Sequence, residues 1–112
     1  MEFLDQPISN YAEAHTTSES QLLTSLNRDT HSNVLAPRML SGHLQGRVLS
    51  LFSKMKQPKA ILEVGTYTGY AALCLAEGLA PGGVLHTIDI DEELETRIKH
   101  YFDQSPYASQ MH

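Results

Sequence analysis

The octapeptide Glu63-Val64-Gly65-Thr66-Tyr67-Thr68-Gly69-Tyr70 constrains this chain more than any other stretch, because of what flanks it. An apolar run, Ala60-Ile61-Leu62, precedes it, and a helix-prone stretch, Ala71 to Leu79, follows. Ala80-Pro81-Gly82-Gly83 is then a strong turn signal. A second apolar run, Val84-Leu85-His86-Thr87-Ile88, ends in Asp89. Strand, glycine turn, helix, glycine turn, strand and acid in that order predict the front of a nucleotide-binding βαβ unit.

The glycine spacing narrows the ligand. A dinucleotide loop reads G-x-G-x-x-G, and its second glycine lets backbone approach a pyrophosphate. Here the pattern is Gly65-x-x-x-Gly69, with bulky Tyr67 between. A ligand carrying a nucleoside but no phosphate fits better, and S-adenosylmethionine is the common case. Glu63, at the end of the first strand, is placed to face a ligand ammonium. Asp89, at the end of the second, is placed to accept both ribose hydroxyls. Blander readings stay open: a G-x-x-x-G after a strand also marks close helix–sheet packing, and Asp91 competes with Asp89 for the ligand.

The other numbers exclude several classes. The chain has 112 residues, enough for one small domain or part of a larger one. A net charge of −5 with scattered basic residues argues against nucleic acid as the main partner. Lys54, Lys56 and Lys59 form one cluster and read as a solvated helix end. A single cysteine, Cys74, allows no intrachain disulfide and reads as a small buried hydrophobe. No apolar run reaches the ~20 residues of a membrane span, and Met1 to Asp5 do not resemble a secretory signal, so cytoplasmic residence is expected. The histidines, His15, His31, His43, His86, His100 and His112, show no metal-ligand spacing, so no metal ligand is assigned.

The chain divides into an N-terminal helical segment, 1–56, and the first half of a Rossmann-like cofactor-binding domain, 57–112. In the first, Ser18-Glu19-Ser20-Gln21 fits a capping box ahead of Leu22, Leu23 and Leu26. Leu44, Val48, Phe52 and Met55 recur as the apolar stripe of an amphipathic helix, which Pro58 stops. In the second, Ala60 to Val64 reads as a short buried strand. Asp91 can cap a helix whose first turn holds Glu92 and Glu93 and whose stripe is Leu94, Ile98, Tyr101 and Phe102. Glu93/Arg97 and Glu95/Lys99 are candidate i,i+4 pairs. A third strand should begin near Gln110-Met111-His112. Two parallel strands do not make a stable sheet, so the α/β fold is expected to be incomplete here, or to borrow strands from a partner chain.

Three segments together resemble the cation-dependent O-methyltransferases of the catechol and caffeoyl-CoA type, including their bacterial relatives. These are Pro37-Arg38-Met39-Leu40-Ser41-Gly42-His43-Leu44-Gln45-Gly46, then Ile61 to Tyr70, then Thr87-Ile88-Asp89-Ile90-Asp91. The resemblance runs from about Tyr11 onward and covers the N-terminal half of that family's fold. It implies a Rossmann-like methyltransferase fold whose N-terminal helices close over S-adenosylmethionine. Met39 and Ser41 would contact the cofactor from the N-terminal segment. Glu63, Gly65, Thr66, Tyr67 and Gly69 would line its methionine and sulfonium end, and Asp89 would hold the ribose. Ala71 stands where the family usually has a serine that contacts the cofactor carboxylate, leaving only its backbone amide.

The resemblance also implies methyl transfer to a hydroxyl of a small, catechol-like acceptor, with a Mg²⁺-like divalent cation lowering the pKa of that hydroxyl. The family places its cation ligands and catalytic base on later strands, and no residue here is assigned to them. The competing expectation is a truncated, non-catalytic interaction fragment, since half a sheet should leave apolar surface exposed. Either way a homo-oligomer, most simply a dimer, or an unstable monomer is expected. A nicotinamide-dependent reductase is disfavoured by the glycine spacing.

Overall fold

The computed structural model describes residues 4–112. Among them the elements run α1 (Gln6–Ala14), α2 (Gln21–Asn33), a 3-10 turn (Pro37–Met39), α3 (Gly42–Lys56), β1 (Ala60–Val64), α4 (Tyr70–Ala76), β2 (Val84–Ile88), a second 3-10 turn (Glu92–Leu94), α5 (Glu95–Gln104) and a third (Ala108–Gln110). The βαβ order expected around the glycine loop is therefore present. β1 and β2 pair in parallel, with Ala60 opposite Val84 and Val64 opposite Ile88. A third strand begins as expected: Met111 bridges Leu85, and the His112 amide donates to the Leu85 carbonyl at 2.8 Å.

Local signals were right in kind and displaced in detail. α2 is capped by Ser20, whose hydroxyl accepts the Leu23 amide at 3.2 Å. Ser18 therefore does not cap it, and Glu19 instead accepts from the Tyr70 hydroxyl at 2.5 Å. Asp91 caps as expected, accepting from the Glu93 amide, but it opens a 3-10 turn that leads into α5. The expected Glu93/Arg97 and Glu95/Lys99 pairs do not form. Arg97 reaches across to Asp29 on α2 at 2.5 Å, and Lys99 pairs with Asp103. A half-buried carboxylate on a neighbouring helix offers Arg97 a less hydrated partner than an exposed one on its own helix.

Two expectations about burial are overturned. Most of the expected α3 stripe faces outward: Val48, Phe52 and Met55 are exposed, Phe52 at 62%, and Leu44 is half-buried. The buried face is Gly46, Ser50 and Ser53. Periodicity finds a stripe but does not say which face meets the core. Here the neighbour is α4, approached closely enough that a Cβ on Gly46 would lie 2.7 Å from the Tyr70 ring. The Ser53 hydroxyl donates to the Leu75 carbonyl at 2.6 Å across the same contact. Likewise β1 is not a buried strand, because helices cover only one face of the sheet among the described residues. Ile61 and Glu63 turn toward them, while Leu62 and Val64 are 69% and 77% exposed on the other face.

The core that results joins both segments. Leu23 and Leu26 of α2 pack in one cluster with Tyr70, Leu73, Leu85 and Phe102. That cluster sits directly beneath the glycine loop and fixes its position.

Candidate functional site

The loop between β1 and α4 is built on left-handed backbone. Gly65 and Gly69 have φ of +96° and +95°, and Tyr67 itself has φ +50°. A side chain at Gly65 would be strained by that φ, yet a Cβ there would meet nothing within 4 Å. The space above Gly65 is therefore open to a ligand. Gly69 is different: its Cβ would fall 2.7 Å from the Phe102 ring, so this glycine seats the loop on α5.

Asp89 ties the two strand ends together. One carboxylate oxygen accepts the Tyr67 amide and the other the Asp91 amide, both at 2.9 Å. Those amides hold its carboxyl below the usual carboxylate range, so it stays ionised at neutral pH. Glu63 behaves oppositely. Burial pushes its carboxyl up, the Thr87 hydroxyl partly offsets this, and the Asp89 charge adds to the rise. Two acids at neighbouring strand ends thus have environments that push them apart.

A cavity of about 600 Å³ opens between the loop and the N-terminal segment, lined by Met39, Gly65, Tyr67, Asp89, Asn33 and Arg97 among others. The structure thus brings four of the expected residues, Met39, Gly65, Tyr67 and Asp89, to one space. Thr66 and Asp89 also border an adjoining cavity of about 400 Å³ under α5. Ser41 and Met39 border a third, of about 710 Å³, on the side of α1 and α2. Glu63 is half-buried at the end of β1, and Ala71 is half-buried in the first turn of α4.

Two features carry no obvious sequence signal. The Tyr67 hydroxyl is shared between the Leu35 carbonyl at 2.9 Å and the Ala36 carbonyl at 3.0 Å, tying the glycine loop to the segment that leads into Met39. Thr87 stands opposite Glu63 in the register and donates to it at 2.6 Å. Strand alternation puts Thr87 and Asp89 on one face, and pairing Ala60 with Val84 would have brought Thr87 to Glu63. Among the described residues no three His, Cys, Asp or Glu side chains converge on a possible cation site. The described residues therefore offer no such donor set for a divalent cation.

Comparison with known proteins agrees with this architecture. A family model described as "O-methyltransferase" matches residues 13–112. A Mycobacterium avium protein named provisionally as an O-methyltransferase is 34% identical over 97 residues, which cover 85% of this chain and 41% of that protein. Caffeoyl-CoA O-methyltransferase of Stellaria longipes is 36% identical over 75 residues, covering 67% of this chain and 31% of that enzyme. Among solved structures, the O-methyltransferase TomG of Streptomyces achromogenes, in complex with SAM, superposes with a TM-score of 0.85 at 24% identity; the match covers 95% of this chain and 47% of that one. The chain spans less than half the length of each of these relatives. With the family match running from the end of α1 through the onset of the third strand, and the glycine loop and strand-end acids inside it, this chain belongs to the O-methyltransferase family.

Proposed function

We propose that this chain is the S-adenosylmethionine-binding half of an O-methyltransferase acting on a hydroxyl of a small, catechol-like acceptor. The observation that carries the reading is Asp89, tied by two backbone amides beside the open space above Gly65, with Glu63 at the neighbouring strand end. Asp89, kept ionised by backbone amides, retains lone pairs for the two ribose hydroxyls. Glu63 faces the ammonium of the amino-acid end, whose charge would hold its carboxylate ionised against burial. Met39 and Tyr67 wall the sulfonium region.

When bound, S-adenosylmethionine would supply an electrophilic methyl group, whose bond to sulfur would break to leave a neutral thioether as the acceptor oxygen takes the carbon and passes its proton to a base or to solvent. What these residues contribute is alignment, an effect of position and lost freedom. The base and any divalent cation lie outside the residues assigned here. Cytoplasmic residence and a homodimer complete the reading; no helix among the described residues is long and apolar enough to cross a membrane.

Calorimetric titration of the protein with S-adenosylmethionine, beside an Asp89→Ala variant, tests it. The variant should bind at least about tenfold more weakly, as expected for losing a charge-assisted hydrogen-bond pair. Equal affinity in both would sink the ribose assignment. A second reading, a non-catalytic interaction fragment, is favoured by one observation: Leu62, Val64, Ile88 and Ile90 share an exposed apolar surface on the sheet and just beyond it. Absence of any binding by the wild type would turn the argument that way.

A further inference from the structure

Thr87 sits at the centre of a directed hydrogen-bond chain. Its hydroxyl donates to Glu63 Oε1 at 2.6 Å. A threonine hydroxyl has a single proton, so the 2.6 Å contact between the Thr66 and Thr87 oxygens runs the other way, with Thr66 donating. Thr66 belongs to the glycine loop and is only 6% exposed. The chain therefore passes from the loop, through the second strand, to the carboxylate at the end of the first.

The geometry leaves the two oxygens of Glu63 unequal. Oε1 is held, and among the described residues no donor reaches Oε2. A glutamate has three rotatable side-chain bonds, and left alone at a strand end it would spread over several rotamers. Burial without a partner would also push it toward the neutral form, which cannot attract a cation. Thr87 opposes both tendencies, and a β-branched side chain in a paired strand is stiff enough to do so. The backbone of Thr87 is engaged separately, its amide donating to the His112 carbonyl at 2.9 Å. The hydroxyl is therefore free to serve the carboxylate.

We propose that Thr87 is a positioning residue that fixes the Glu63 carboxylate with Oε2 directed at the ammonium of the bound methyl donor. This rests on the cofactor reading above and adds to it the residue that makes Glu63 effective. Thr66 supports it from behind, so a change in the glycine loop is felt at the carboxylate.

The test compares two probes that differ only at the far end. S-adenosylmethionine carries the ammonium; 5′-methylthioadenosine keeps the nucleoside and sulfur but lacks the amino-acid end. Both are titrated calorimetrically into wild type, Thr87→Val and Thr87→Ser. Thr87→Val should lose about tenfold in affinity for S-adenosylmethionine and less than about twofold for 5′-methylthioadenosine, with Thr87→Ser close to wild type for both. A merely structural role would weaken both probes alike, and that result overturns the proposal, as does an unchanged Thr87→Val. If the wild type binds neither probe, the cofactor reading itself falls. Should Thr87→Val fail to fold, Thr66→Ala takes its place. It removes the supporting donor and should cost about threefold for S-adenosylmethionine alone; no loss, or equal loss for both probes, again overturns the assignment.

Discussion

Cys74 is fully buried, and its sulfur lies 3.6 Å from a guanidinium nitrogen of Arg47. Burial pushes the thiol up to about 11, and the nearby positive charge only partly opposes this. The residue is therefore a protonated thiol at neutral pH and chemically quiet. Native protein should resist a thiol-specific disulfide reagent over the time in which urea-unfolded protein labels completely; rapid native labelling would contradict the packing described. Gly46 is the reason the site is closed, since an added methyl would lie 2.8 Å from the Cys74 sulfur. Gly46→Ala should destabilise the fold by about 1–3 kcal/mol in urea unfolding and speed that labelling. At this scale the residues proposed to face the ligand, Gly65 and Asp89, come from pattern alone, and both line one cavity. The partner of the Tyr67 hydroxyl was not, because it depends on where a connector some thirty residues earlier is placed.

At the scale of elements, α3 and α4 are held by polar groups inside a contact of small residues. Arg47 pairs with Glu77 at 2.5 Å, and the Ser50 hydroxyl donates to the same carboxylate at 3.0 Å. The Arg47 Nε is buried with no partner, so the guanidinium is committed but not fully satisfied. Removing one member strands the other, whereas replacing both need not. Arg47→Ala should cost about 2 kcal/mol, below the range for a fully buried pair because Glu77 keeps some water contact. The double replacement Arg47→Met with Glu77→Leu should recover most of that, as read from denaturant midpoints at unchanged slope. A double variant no better than Arg47→Ala would show that the pair contributes specificity beyond its geometry. This contact also explains why the α3 stripe misled. Leu44, Val48, Phe52 and Met55 marked a real helix, yet the closest neighbour selected the opposite face through Gly46 and Gly78, where side chains cannot stand.

For the molecule as a whole, the acids set the response to pH. Burial raises the Glu77 carboxyl, but Arg47, Ser50 and Lys54 together bring it below its ordinary value. Burial likewise opposes, and Arg97, Asn33 and Tyr101 outweigh, at Asp29. Asp89 is lowered by backbone amides. A carboxyl depressed in the folded state stabilises it above the unfolded value, and that contribution is lost as pH falls through the folded one. Glu63 is raised, so its effect has the opposite sign and is relieved by acid. Three depressed groups against one raised group predict a melting temperature that falls between about pH 5 and pH 3. A Glu77→Gln variant should show a shallower fall, and a melting temperature that climbs on acidification would refute the balance. The order of elements at this scale was legible from one octapeptide, two turns and an acid. Which sheet face stays open was not, because alternation marks two faces without saying how many helices will cover them.

The doubly shared hydroxyl of Tyr67 has a consequence for preorganisation. It closes a ring of chain from Leu35 to Tyr67, and the packing of α3 on α4 already holds that ring's middle in place. Ordering a long free segment around a ligand normally drains binding energy. Here the segment bearing Met39 is fastened to the loop before anything arrives. A ligand entering above Gly65 meets a wall whose conformational entropy was surrendered during folding.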